Sequence, residues 1–129
     1  MSFDWLHFLT VAERLHSAPD IFGVDDACLR TATSRAYFAA FHHAMSWTVS
    51  KGYPRTCRGT DHTDVEIYFR DSIPSDKMKQ KIALELGRLR NRRNQADYDC
   101  NVPQTTNQVA LAILDAQSII KNVNSLSNH

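Results

Sequence analysis

The sequence predicts an all-α fold, an antiparallel bundle of four to five helices, and three observations carry that prediction. Apolar residues recur at helical spacing through most of the chain. Four Gly and four Pro in 129 residues are too few to punctuate the many short strands of a sandwich or barrel. The breaks between periodic segments are short enough to join antiparallel neighbours. The length is that of one domain, 1–129, and a composition 43% hydrophobic and 22% charged excludes a disordered chain.

Each element has its own warrant. Ser2 can cap a first helix in which Trp5, Leu6, Leu9, Ala12 and Leu15 share a face and which stops before Pro19. Asp25 or Asp26 can cap a long second helix running to Gly52, apolar on most of its circumference from Ala36 to Val49 and therefore central. Lys51 to Thr63 reads as a loop, followed by a short amphipathic helix through Val65, Tyr68 and Phe69 that Ser72 to Ser75 closes. A fourth helix runs from about Asp76 to Tyr98 with Met78, Ile82, Leu86 and Leu89 in line. A fifth runs from about Thr105 with Val109, Ile113, Ala116, Ile120 and Val123 inward, and the polar tail from Asn124 is expected to fray.

Fifteen Lys and Arg against fourteen Asp and Glu leave a formal charge of +1, so the whole molecule has no strong field for nucleic acid or an anionic membrane. Cys28, Cys57 and Cys100 are odd in number and contain no CxxC pair, which indicates free thiols in a reducing compartment and no zinc site. Met1 to Leu15 lacks a signal layout, and the longest uncharged run, Ala36 to Ser50, is shorter than a membrane span needs. A cytoplasmic protein with no membrane partner is the expectation.

Polar residues interrupt the apolar faces. Continuing the stripe of the fourth helix by about 100° per residue brings Arg93 onto the buried line. A guanidinium cannot shed its proton there and needs a carboxylate or a bound anion; Asp97, one turn on, supplies an ion pair that would order the helix end. On the second helix Cys28, Ala32, Arg35, Ala39, His42 and Ser46 form a small, polar stripe opposite Leu29, Tyr37, Phe41 and Trp47. The fourth helix is a candidate to cover that stripe, bringing two arginines, a histidine and a carboxylate together. A structural polar network, or a dimer seam along the same stripe, fits the pattern equally. His42 and His43, adjacent on a helix, diverge by about 100° and cannot pair on a metal. Lys77, Lys79, Lys81, Arg88, Arg90, Arg92 and Arg93 against Glu85 make the fourth helix basic enough to draw a phosphate backbone locally. Cys57 and His62 have loosely ligand-like spacing without a second pair and receive no role.

Two segments then point to a family. Ser34-Arg35-Ala36-Tyr37-Phe38-Ala39-Ala40-Phe41-His42 resembles the SRAYYAAFH segment of HEPN domains, and Arg93-Asn94-Gln95-Ala96-Asp97-Tyr98 resembles their R-N-x-A-D-Y segment. The likeness runs over about 25–123, which marks the expected core. It implies a helical domain that pairs as a homodimer with the fourth-helix motifs facing across a cleft. It further implies a metal-independent, cofactor-free endoribonuclease of the toxin–antitoxin or anti-phage defence type, with RNA as substrate and a nucleotidyltransferase-like antitoxin or a defence-complex component as partner.

In such nucleases an arginine and a following polar residue precede a histidine. Arg93 matches the arginine and Asn94 the polar residue, with Arg92 as the other choice of arginine, but Asp97 or Tyr98 stands where the histidine belongs. An Asp with a pKa near about 3.9 is a weak general acid at neutral pH and a Tyr near about 10 a weak base. His42 could supply the imidazole from the second helix, Arg35 a second phosphate clamp, Asp97 orientation and Tyr98 a substrate contact. Tyr98 is also the tyrosine that a nucleotidyltransferase partner would modify. The other function consistent with these residues is a catalytically silent module that binds RNA, a nucleotide or a partner protein.

Overall fold

The computed structural model describes residues 3–20, 23–53, 61–101 and 103–126. They form α1 (His7–Ser17), α2 (Asp25–Ser50), α3 (Asp61–Arg70), α4 (Lys77–Tyr98) and α5 (Thr106–Leu126), with no strand among the described residues. The helical bundle is therefore as the periodicity predicts.

The helix starts follow local hydrogen bonding. Ser2, the expected first cap, lies outside the described residues; α1 begins at His7 behind a turn in which the Asp4 carboxylate accepts from the Leu6 N–H at 3.0 Å. Neither Asp25 nor Asp26 caps α2, whose N-cap is Val24. The Asp26 carboxylate is drawn off by Arg30 Nε at 2.8 Å and by the Gln104 N–H at 3.4 Å. The helix start expected after Thr63 moves to Asp61. Asp76 caps α4 by accepting from Lys79 N–H at 3.1 Å. Thr105 and Gln108 cap α5 reciprocally, Thr105 Oγ1 accepting from Gln108 N–H and Gln108 Oε1 from Thr105 N–H, a capping box.

α2 is the central helix, with Ala32, Ala36, Tyr37, Ala39, Ala40 and Ala44 all removed from solvent. Its alanines leave room for helices on several sides, and the core fills with Phe69, Ile82, Leu86, Leu89, Ile119 and Val123. Full burial of each such large side chain contributes about 1.5–3 kcal/mol. The core reaches beyond the expected 25–123 at both ends, to Ala12 and Leu126, because α1 and the last turn of α5 pack onto it. Two details of α5 differ from expectation. Ile119 is fully buried while Ile120 is half-buried, and the helix continues through Asn124, held by Ser125 Oγ donating to Asn122 O and by the His43–Asn124 side-chain bond.

Cross-contacts give the directions. Arg30 meets the end of α4 and Trp47 its start, so α2 and α4 are antiparallel. Arg88 with Asp115, and Glu85 with Asn122, make α4 and α5 antiparallel as well. α2 and α5 therefore run parallel, Thr33 near Gln104 and His43 near Asn124, and the bundle is not antiparallel throughout. Three helices in mutual contact cannot all oppose one another.

Candidate functional site

The motif residues of α2 and α4 meet at the C-terminal end of α4. Arg30, one turn before Ser34 on α2, donates from Nη1 to the carbonyls of Gln95, Ala96 and Asp99 at 3.3, 2.9 and 3.0 Å; the Gln95 carbonyl also accepts from Asp99 N–H, while that of Ala96 is among those a helix end leaves open. With that end held, Ser34 Oγ reaches Asp97 Oδ2 at 3.3 Å, and Arg35 Nη2 donates to Ser34 Oγ at 3.2 Å. Arg93 Nε lies 2.9 Å from Asp97 Oδ2, the pair that the i, i+4 spacing predicts, although its N–H is not aimed along that line, which leaves the contact electrostatic. Arg93 Nη1 donates to Asn94 Oδ1 at 3.2 Å.

Aromatic rings form the floor. The Arg93 guanidinium lies 5.4 Å from the centre of the Phe38 ring and 5.7 Å from those of Tyr37 and Tyr98, and Arg35 lies 4.3 Å from Phe38 and 4.8 Å from Phe8. Two guanidiniums thus share one phenyl ring, and the carboxylate paired with Arg93 reaches Arg35 through Ser34 Oγ. Burial lowers the Arg35 pKa, Asp97 opposes that shift and Arg93 adds to it; at this height on the scale Arg35 stays cationic. The site is shallow: the Arg93 side chain keeps 18% exposure and Asp97 26%, while Asn94 and Tyr98 are exposed. Positive charge that is in excess, partly dehydrated and open on one side suits a phosphate group.

Several expectations change. The polar stripe of α2 is covered by α1, not by α4: Trp5 stacks on His42 with centroids 3.5 Å apart and planes 14° apart, and Phe8 lies against Arg35. The aromatic side chains at the start of α1 occupy the face, so it is not free to form a dimer seam. His42, 7% exposed, sits with its ring face against Trp5, on the side of α2 that the residues at and before the start of α1 cover. Arg92 also leaves the site. Helical rotation turns it towards α5, where its Nε lies 3.4 Å from Asp115 Oδ2, beside the bidentate Arg88–Asp115 pair at 2.7 and 3.1 Å. Arg90 is likewise bound, to Glu66 of α3 at 2.6 and 3.2 Å. The arginines that made α4 look like a basic strip are mostly neutralised by neighbouring helices.

One residue without an assigned role enters the site. His62, in the first turn of α3, bonds through Nδ1 to Tyr37 Oη at 2.6 Å and stacks on Phe41 with centroids 4.1 Å apart. Burial, then the charges of Arg93 and Arg90, lower its pKa, with Asp61 opposing. Tyr37 is pushed up, chiefly by burial and then by Glu66, so it remains a phenol. Sequence spacing gave little sign of His62; the useful clue was its place four residues before Glu66, on one face of α3.

Cys28 is buried and Cys100 exposed, both as free thiols, while Cys57 lies outside the described residues. Among the described residues no three His, Cys, Asp or Glu side chains cluster as metal ligands, and no helix is long and apolar enough to cross a membrane. Comparison of the chain with protein-family models, with curated proteins and with solved structures finds no match.

Proposed function

We propose that the chain is a HEPN-type RNA-processing protein, a metal-independent endoribonuclease in which Arg93 and Arg35 hold the scissile phosphate. The observation that supports this reading is the pair of guanidiniums sharing the Phe38 ring at an exposed edge, with the Asp97 carboxylate paired to Arg93 and linked to Arg35 through Ser34. Asn94 keeps the Arg93 fork oriented, Asp97 fixes its position, and exposed Tyr98 offers a ring to a neighbouring base. The site is open on one side, which suits closure by a second copy, and on this reading the working unit is a homodimer in the cytoplasm. In a toxin–antitoxin or anti-phage setting the partner is a nucleotidyltransferase-like antitoxin or another defence component, and Tyr98, 74% exposed as a residue, carries the hydroxyl to which a nucleotide would be attached.

The second reading, a silent module that binds RNA, a nucleotide or a protein, is favoured by one observation: Asp97 rather than an imidazole contacts Arg93. Incubation of purified protein with total and transfer RNA in EDTA separates the two. The nuclease leaves cyclic-phosphate ends, and Arg93→Ala lowers the rate by about 100-fold or more. Intact RNA that is nevertheless retained, with affinity falling as salt rises, would establish the binding module instead. Neither cleavage nor binding would remove both.

A further inference from the structure

We infer that His62 is the catalytic imidazole of this site and that Tyr37 positions it; this rests on the ribonuclease reading above. The placement comes from the docking of α3 on α4. The bidentate Glu66–Arg90 pair sets the register; Gly87 lies beside it, where a Cβ would rest in ordinary contact with Glu66 Oε2 at 3.6 Å. One turn back along α3 is His62, and one turn on along α4, in the opposite direction, is the Arg93–Asn94 step. Tyr37 touches both, through its hydroxyl to His62 and its ring to Arg93, and Phe38 lies near both, 6.5 Å from the His62 ring and 5.4 Å from the guanidinium.

The Tyr37 Oη–His62 Nδ1 bond is compatible with either ring tautomer; a base needs the one in which Nδ1–H donates to Tyr37 Oη and Nε2, which no described residue bonds, carries the lone pair. Phe41 stacked on one face fixes the plane. The charged and titratable groups that act on it are Tyr37 from α2, Arg93 and Arg90 from α4, and Asp61 from α3 itself, while Glu66 of α3 acts on Tyr37. Two cations and burial favour the neutral ring, the form that accepts a proton at neutral pH.

The step balances without an added reagent. A ribose 2′-hydroxyl gives its proton to His62 Nε2 as its oxygen bonds to the adjacent phosphorus. The bond from phosphorus to the 5′-oxygen breaks, and that oxygen leaves with the electron pair and takes a proton from water. The products are a 2′,3′-cyclic phosphate and a 5′-hydroxyl, and the imidazolium returns its proton to solvent. Arg93 and Arg35 hold the charge that builds on the phosphoryl oxygens.

The test is cleavage of transfer RNA in EDTA by the 129-residue chain and five variants, Arg93→Ala among them, each with its melting curve. His62→Ala should lower the rate by about 100-fold or more, with RNA affinity unchanged within threefold and partial rescue by free imidazole. His62→Gln, which keeps a polar partner for Tyr37, should be as slow while melting like the wild type. Tyr37→Phe should slow cleavage by about tenfold and move the acid limb of the pH–rate profile, a change that packing alone does not produce. His43→Ala, on the far side of α2 beside Asn124, should cleave normally. Wild-type rates in both His62 variants, with Arg93→Ala inactive, would overturn the assignment of His62 and leave the nuclease reading standing. A wild-type protein that cleaves nothing would overturn both.

Discussion

A guanidinium keeps its charge wherever the fold puts it, so the meaning of each arginine depends on what surrounds it. Arg88, Arg90 and Arg92 have carboxylates on neighbouring helices; Arg93 pairs with Asp97 on its own helix, and Arg35 reaches that carboxylate through Ser34 Oγ. A histidine adjusts instead. In the folded chain the His62 pKa lies below its ordinary 6.5, for reasons led by burial. The unfolded chain therefore takes up a proton first as pH falls, and the stability contributed by His62 is complete above about 6.5 and declines through the window down to its folded value. Melting temperatures measured from about pH 7.5 to about pH 5 should fall more for the wild type than for His62→Gln. Equal slopes would show that the ring titrates normally. At this scale the sequence made Arg93, Asp97 and Arg35 legible, because spacing along a helix predicts which side chains share a face. It did not disclose His62, whose neighbours Tyr37 and Phe41 are more than twenty positions away and come together only through packing.

Each helix was visible from its periodicity, yet which helix covers which face was not. The small, polar stripe of α2 suited α4 as well as α1, and only the aromatic side chains of Trp5 and Phe8 decided for α1. The caps were misjudged where a better partner competed, as Arg30 does for Asp26. α4 works as a spine, sending arginines to α5 and α3 while its last turn faces α2. The tie to α3 is half-buried and bidentate, so Glu66→Gln should cost about 1–2 kcal/mol in urea unfolding. A loss below a few tenths of a kcal/mol would mean that Val65 and Phe69 dock α3 without help from the ion pair.

For the whole molecule, α1 is part of the core and not an addition to it. Ala12 is fully buried, His16 bonds the Thr106 carbonyl and Gln117 donates to Glu13, which closes α1 against α5 as well as α2. Removal of residues 1–24 should leave α2 exposed along the Cys28–His42 stripe and abolish a cooperative thermal transition followed by circular dichroism. A sharp transition in the shortened chain would make α1 dispensable. The last turn of a helix ordinarily frays, opening and closing on its own many times before the rest of the protein moves. Here Arg30 clamps three carbonyls at the end of α4 from the neighbouring helix. The turn carrying Asp97 and Tyr98 should consequently be spared private fluctuations: in hydrogen exchange its amides are expected to open with the separation of α2 and α4, although their side chains face water.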